Sequence, residues 1–447
     1  MDAIDDDEFF DDWIIKSMKS YKHLHMFDLP QPTCVIEWNE KNGIFVAGCS
    51  PDCRNEILEM SIPAKLTWES SSKTAAGLTK DRDFKMLRGG FSDKPIHCLK
   101  YLRGTRPRLI VTGSHASPHL DVWQLDTETN DVIKKLPTVP GRATEGGGVR
   151  GGVRGVAQRP GHKGHVAFGS TMSNLQVADV GTKEVIATDF GKADCVVEMK
   201  FLNENELVTC NTQRGLINIH DLRIPSSQSP PSNHLMSNSR TGTEQSILDG
   251  DSSPKDIDQS HVGLDTSIPE SSNENTSCKG GATWTFDLRC TSDTNLDPSN
   301  EGDIACKKPK LDATVATVVS LCSSGELLIR DLRNLESPLH HVKLGDERRL
   351  RKSGNLTVKW CPTEKTLLSV SGLNGCVDIY DTSTWQQRSN SPPMVKPVFS
   401  HEGHITGESA NQDVGILCHA WHPWQPCVVM SSGSDGSLHA WDWSSVS

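Results

Sequence analysis

The chain has 447 residues, 35% of them apolar, with a mean hydropathy of −0.44 and a formal net charge of −11. That length fits two or three ordinary domains or one large repeat architecture, and the low apolar fraction implies thin cores, disordered segments, or both. Seven acids precede the first basic residue, Lys16, and segment 225–281 holds eight acids against three bases, so the remainder is close to neutral and offers no net basic excess to suggest nucleic-acid binding, which leaves only a local basic patch for that role.

Residues 9–25 place Trp13, Ile14, Met18 and Tyr21 at helical spacing, with Asp11 and Asp12 near the start, where acids favour a helix N-terminus. The pattern predicts a short amphipathic helix within an acidic N-terminal segment, 1–25. Its apolar face either packs on the body of the protein or grips a partner. Leu24 to Leu29 then reads as a strand. A first unit follows at Cys34–Trp38, Ile44–Gly48 and Glu56–Met60, with Phe84–Leu87 as its outer strand. A second has Ile96–Tyr101, Arg108–Gly113, Leu120–Trp123 and Val132-Ile133. The glycine-rich stretch 141–155 leads into another strand instead of a helix, so it reads as a loop and not as a phosphate cradle. The third unit comprises 155–157, 165–169, 175–179 and 185–187; the fourth comprises 196–201, 206–210 and 216–221.

Segment 225–281 is dominated by Ser, Asn, Asp, Pro and Thr and has no aromatic residue. It cannot bury enough apolar surface to offset its ordering entropy, which predicts a disordered insert; Ser229-Pro230 and Ser253-Pro254 are candidate proline-directed phosphorylation sites. The fifth unit begins at 283–288, is interrupted by a second polar insertion at 291–312, and resumes at 314–321 and 326–331. That insertion ends in Lys307-Lys308-Pro309-Lys310, a short basic candidate for nuclear import. The sixth unit has 356–360, 367–371 and 377–381, with an outer strand at 397–399.

The last unit runs from Gly403-His404 through Ile416–Trp421 and Val428–Ser432 to the turn Gly433-Ser434-Asp435-Gly436 and Leu438–Trp443. Its Gly-His to Trp-Asp frame resembles a WD repeat. The resemblance implies an all-β fold, a seven-bladed WD40-type β-propeller over 26–447, preceded by the short N-terminal helix and carrying the disordered insertions. One N-terminal strand, Leu24 to Leu29, is expected to complete the sheet ending at Trp443 and so close the ring. In a WD repeat, His404, Ser432 (or its neighbour Ser431), Asp435 and Trp441 match a structural tetrad in which the acid orients the imidazole, which reaches the hydroxyl and then the indole. Such a polar chain stiffens a blade.

Chemistry that would mark an enzyme is not expected: no metal site, cofactor site or catalytic constellation emerges. Cys49-x-x-x-Cys53 has no second pair, and His419-x-x-His422 straddles a strand end. The 14 cysteines are scattered and several sit in apolar runs, as reduced thiols of a cytosolic or nuclear protein do. The acidic N-terminus has no apolar h-region, so no secretory signal is expected, and no stretch is long enough for a membrane helix. The triplets Asp221-Leu222-Arg223, Asp287-Leu288-Arg289 and Asp331-Leu332-Arg333 resemble the box by which some WD proteins join cullin-type ubiquitin ligases, but none has the preceding Trp.

A closer resemblance covers almost the whole chain except 225–281. Asp11-Asp12-Trp13, Tyr21, Phe27-Asp28-Leu29, Val35–Trp38, Asn55–Leu58, Arg82–Lys85 and Gly89–Asp93 carry it near the start. Tyr380–Trp385, Gly403–Ile405, Trp421–Pro423 and Leu438–Trp443 carry it at the end. These stretches are similar to one family of WD-repeat assembly factors. The resemblance implies a non-enzymatic cytoplasmic scaffold that helps build the RNA endonuclease module of the Integrator complex by holding its two metallo-β-lactamase-fold subunits. It also implies a link to microtubule organisation and the mitotic spindle. The near-neutral body makes that link indirect, since tubulin surfaces are acidic. A substrate receptor of a cullin-type ubiquitin ligase is the remaining alternative.

Overall fold

A computed structural model describes residues 20–40, 43–63, 66, 83–125, 131–142, 151–188, 190–191, 197–224, 282–290, 316–345, 354–385, 391–405 and 414–443. Within them the strands form seven sheets. Blade one is Thr33–Trp38, Gly43–Gly48, Asn55–Ser61 and Lys85–Ser92. Blade two is Cys98–Leu102, Arg108–Ser114, Ser117–Leu125 and Ile133–Val139. Blade three is Gly155–Gln158, His165–Gly169, Gln176–Asp179 and Val185–Ala187. Blade four is Val197–Phe201, Glu206–Asn211 and Ile217–Asp221. Blade five is Trp284–Cys290, Ala316–Cys322, Glu326–Asp331 and His340–Leu344. Blade six is Thr357–Trp360, Leu367–Ser371, Val377–Asp381 and Phe399–His401. Blade seven is Ile416–Trp421, Val429–Gly433 and Ser437–Trp443, with Tyr21–Asp28 as its outer strand.

The first strand of each sheet touches the first strands of both neighbours, all the way round from blade one to blade seven and back. This closed circuit is a seven-bladed β-propeller. Period-two alternation explains why the middle strands are apolar along their whole length. Ile44 and Val46 enter the core shared with blade seven, whereas Phe45 and Ala47 enter the core shared with blade two. Seven hydrophobic clusters result, one between each adjacent pair of blades. At roughly 1.5–3 kcal/mol for each large side chain buried, these thin layers supply most of the drive to close the ring.

Closure is made in blade seven. Tyr21–Asp28 runs antiparallel to Ser437–Trp443, with Leu24 opposite Trp441 and Phe27 opposite Leu438, and Leu29 N–H donates to Gly436 O at 2.9 Å. The expected helix over 9–25 is therefore corrected at its end: residues 21–25 are strand. A β-bulge between Tyr21 and His23 shifts the register, so that Tyr21 and Leu24, three apart, pack against one cluster. The bulge accounts for the helical spacing of Tyr21 and Leu24. Trp13, Ile14 and Met18, the two insertions, the Ser-Pro sites and Lys307–Lys310 lie outside the described residues.

The outer strands depart most from expectation. Blade one's spans Lys85–Ser92, well past Leu87. Blade five has a fourth strand, His340–Leu344, that was not anticipated, and Met394–Val395 pairs with it in parallel. Among the described residues blade four has three strands, and its sheet is followed directly by segment 225–281. No helix among the described residues is long and apolar enough to cross a membrane.

Candidate functional site: the polar seams between blades

Where blade six meets blade seven, a chain of hydrogen bonds runs from the exposed Asp435 through the half-buried Ser437 into the interior. Ser437 Oγ donates to Asp435 Oδ1 at 2.6 Å and accepts from His404 Nδ1 at 2.7 Å. His404 Nε2 then accepts from Ser431 Oγ at 2.8 Å, and Trp441 Nε1 donates to the same hydroxyl at 3.2 Å. Every donor has an acceptor when His404 carries its proton on Nδ1. Burial and the neighbouring His439 and His401 hold its pKa far below the usual histidine range, so the ring is neutral, as that tautomer requires.

Two details differ from the sequence expectation. The bridging hydroxyl is Ser431, not Ser432, and Ser437 stands between Asp435 and His404. Successive side chains of a strand point to opposite faces. Ser431 shares the blade-six face with Val429, whereas Ser432 faces blade one and donates to Thr33 O at 2.9 Å. The two serines therefore stitch different seams. Ser431 has no exposed surface, so its alignment with a histidine and an acid serves packing; a substrate carbonyl has no access to it.

A second relay runs beside the first. Tyr21 OH lies 2.7 Å from His401 Nδ1, and His401 Nε2 lies 3.0 Å from His439 Nδ1. Burial raises the Tyr21 pKa far above its ordinary value, so the phenol keeps its proton and donates it. Burial pushes His439 down to about 4, so it too is neutral. The Tyr21 ring stands edge-on to Phe399 at 5.2 Å and to Trp441 at 6.3 Å. Tyr21, on the face expected either to pack on the body or to grip a partner, packs against blades six and seven at this seam.

His401, His404 and His439 bring ring nitrogens within 4.8 Å of one another, the sort of cluster that can hold a metal. Its geometry does not fit one. His404 lies flat on His439, with centroids 3.8 Å apart and planes 8° from parallel, so an ion in the plane of one ring is out of the plane of the other. Both nitrogens of His404 already bind serine hydroxyls. His404 and His439 are stacked, and His401 stands edge-on to both and is hydrogen-bonded to His439.

The same hydroxyl-to-ring device recurs in weaker form. In blade two, Trp123 Nε1 donates to Thr112 Oγ1 at 2.9 Å; in blade four, His220 Nε2 meets Thr209 Oγ1 at 3.0 Å. In each case the hydroxyl lies two residues beyond the strand-two partner of the ring residue, as Ser431 does relative to Trp441. A Ser or Thr two places along from the residue facing a Trp or His is the signal in the sequence.

Around blades four to six the seam is ionic. Asp287 accepts from Lys200 Nζ and, at 2.7 Å, from Trp360 N–H. Glu198 Oε2 accepts from Thr285 Oγ1 at 3.0 Å and from Phe286 N–H at 3.2 Å. Lys200 and burial together depress the Lys359 ammonium, partly offset by Asp287 and Glu198. Desolvation raises the Glu198 carboxyl. Across the ring, Lys100 Nζ pairs with Glu37 at 2.6 Å. These positive and negative groups sit on the first strands, nearest the axis.

Two of the three Asp-x-Arg triplets close on themselves. Arg223 binds Asp221 through Nε at 2.9 Å and Nη2 at 2.6 Å, and Arg333 binds Asp331 at 3.0 and 2.5 Å. The bonds from Arg223 pull Asp221 down to about 2. In the third, Asp287 is turned inward and Arg289 lies over the Trp360 ring at 4.2 Å. The guanidinium forks that an adaptor would have to capture are occupied, which is how strand-end turns behave.

No protein-family model matches the chain. It is similar to Integrator complex assembly factor WDR73 of Danio rerio, with 32% identity over 97% of this chain and 96% of that protein. The Xenopus laevis protein of the same name is 31% identical over 97% of this chain and 98% of its own length. The Homo sapiens one is 28% identical over 97% of each.

Proposed function

The chain belongs to the family of Integrator complex assembly factors named WDR73, and from that membership we propose that it is a non-enzymatic scaffold for Integrator assembly. The observation that carries the reading is the extent of the match, which takes in all seven blades. The chemistry supports it. The polar chain that most resembles a catalytic triad is spent inside the blade-six to blade-seven seam. Ring closure from both ends gives a stiff body whose two faces and outer rim are free to bind protein surfaces.

In finer terms, the partners we propose are the two metallo-β-lactamase-fold subunits of the Integrator RNA endonuclease module, engaged in the cytoplasm. Affinity purification of the tagged full-length chain from its own cells should recover both subunits, chiefly from the cytoplasmic fraction. Recovery of neither under conditions that keep the ring folded would sink the proposal. Any effect on microtubules is proposed to be indirect: the purified chain should stay in the supernatant when microtubules are sedimented.

A further inference from the structure

Two thiols face each other beside the ring's closing seam. Cys34 is the second residue of the first strand of blade one, and Cys49 follows the second strand. Their sulfurs are 3.2 Å apart. Cys49 N–H donates to Pro32 O at 3.1 Å, which pins the two segments together. The ladder has its irregularity between Thr33 and Ile36, so Cys34 lies in the bulged stretch, where small backbone shifts cost least. Both residues are partly exposed; by contrast Cys210, Cys322, Cys361 and Cys376 are buried.

We propose that Cys34 and Cys49 are an oxidative modification site, a dithiol that a hydroperoxide converts to an intramolecular disulfide. A disulfide needs sulfurs about 2.05 Å apart, and the present separation leaves roughly 1 Å to close. The Cys34 S–H donates to the Cys49 sulfur, which lowers the Cys49 pKa and raises that of Cys34. Cys49 is therefore the attacking thiolate. It attacks one oxygen of the peroxide: an S–O bond forms, the O–O bond breaks, and the other oxygen leaves as alkoxide or hydroxide, which takes up a proton. Cys34, deprotonated, then attacks the Cys49 sulfenic acid; the S–S bond forms, the S–O bond breaks, and water leaves. Two thiols lose two electrons and two hydrogens in all, and one peroxide becomes an alcohol (or water) and one water.

The neighbourhood gives this bond a place to act. Thr33, next to Cys34, accepts through its carbonyl from Ser432 Oγ of blade seven at 2.9 Å. Asn355 Nδ2 lies 3.9 Å from Cys34 Sγ and bonds Leu417 O at 2.9 Å. A Cys34–Cys49 bond would thus tie the second strand of blade one to the segment that receives blade seven.

Peroxide treatment of the full-length protein, capping with N-ethylmaleimide and non-reducing peptide mapping test the proposal. Cleavage after Lys41 and before Asp52 places Cys34, Cys49 and Cys53 on three separate peptides. The expected product is the Cys34 peptide joined to the Cys49 peptide, two hydrogens lighter than the pair and released by dithiothreitol. It should persist in Cys53→Ser and vanish in Cys34→Ser and in Cys49→Ser. Oxidation confined to the exposed Cys53, with Cys34 and Cys49 both capped as free thiols in the unmutated protein, overturns the assignment.

Discussion

Blades six, seven and one are joined by neutral groups, while blades four, five and six are joined by charged ones. At the first seam lie Trp421, Trp441 and Trp443, with five histidines (His401, His404, His419, His422 and His439) buried within or beside it. At the second, Glu198, Lys200, Asp287 and Lys359 share hydrogen bonds and fields, and the only fully buried aromatic in the cluster between blades four and five is Phe286 among the described residues. The first seam has to hold the two ends of a ring together. A neutral hydrogen-bonded layer does this without the desolvation cost of ions. The second seam flanks the two polar insertions and keeps its charges near the axis, where opposite signs are close by. One fold thus uses two kinds of stitch, and they should fail under different stresses.

Acid is the strongest way to separate them. A buried neutral histidine has its pKa depressed below the unfolded value of about 6.5. Its contribution is fully present above pH 6.5 and is lost as pH falls towards the folded pKa, because the unfolded chain takes up a proton that the folded one refuses. For His439, with a folded pKa of about 4, the loss is about 3 kcal/mol between pH 6.5 and 4. His419, bonded to Ser369 and Ser371 and held at about 3, adds to it. Glu198 runs the other way: its raised carboxyl pKa means that falling pH relieves a burial penalty. Amide exchange at pH 7 and pH 5.5, corrected for intrinsic rates, should show blade seven loosening before blade five. Uniform loosening would erase the contrast.

Breaking the ionic stitch comes next. Asp287→Ala leaves Lys200 without its ion-pair partner, the Trp360 N–H without an acceptor and the buried Lys359 with Glu198 as its one remaining carboxylate neighbour among the described residues. Leaving buried charges uncompensated costs about 3–5 kcal/mol. The loss should be salt-sensitive in denaturant titrations. Ser431→Ala should cost less, about 2 kcal/mol, since it strands the His404 and Trp441 ring nitrogens in the interior, and added salt should not change it. Ser432→Ala removes mainly the bond to Thr33 and should cost about 1 kcal/mol. Equal losses for the two serines would mean that the strand faces are assigned wrongly.

How much of this could be read from the amino acids depends on distance along the chain. Middle strands such as Gly43–Gly48 and Val429–Gly433 are short apolar runs between turns, and they announce themselves. The outer strands are half exposed and carry lysines and arginines, so Lys85–Ser92 reads as loop over much of its length and His340–Leu344 went unseen. The tetrad's residue types were visible, but choosing Ser431 over Ser432 needs the phase of the strand, and Ser437 enters only because the turn folds it back onto Asp435. The ionic seam was invisible: Glu198, Asp287 and Lys359 are far apart in sequence and meet only when the ring closes.

Tyr21→Phe is the mildest test and bears most directly on the first seam. It removes one hydroxyl, 2.7 Å from His401 Nδ1, and keeps the ring that packs against Phe399 and Trp441. Losing one buried hydrogen bond costs about 1 kcal/mol. If Tyr21 serves ring closure, the variant should lower the denaturant midpoint slightly and still recover every partner of the unaltered chain. Trp13→Ala, in the segment before the described residues, sharpens the reading: a partner-gripping face there would lose partners with the midpoint unchanged. The opposite pattern, partners lost in Tyr21→Phe at full stability, would return Tyr21 to the binding face that its spacing first suggested.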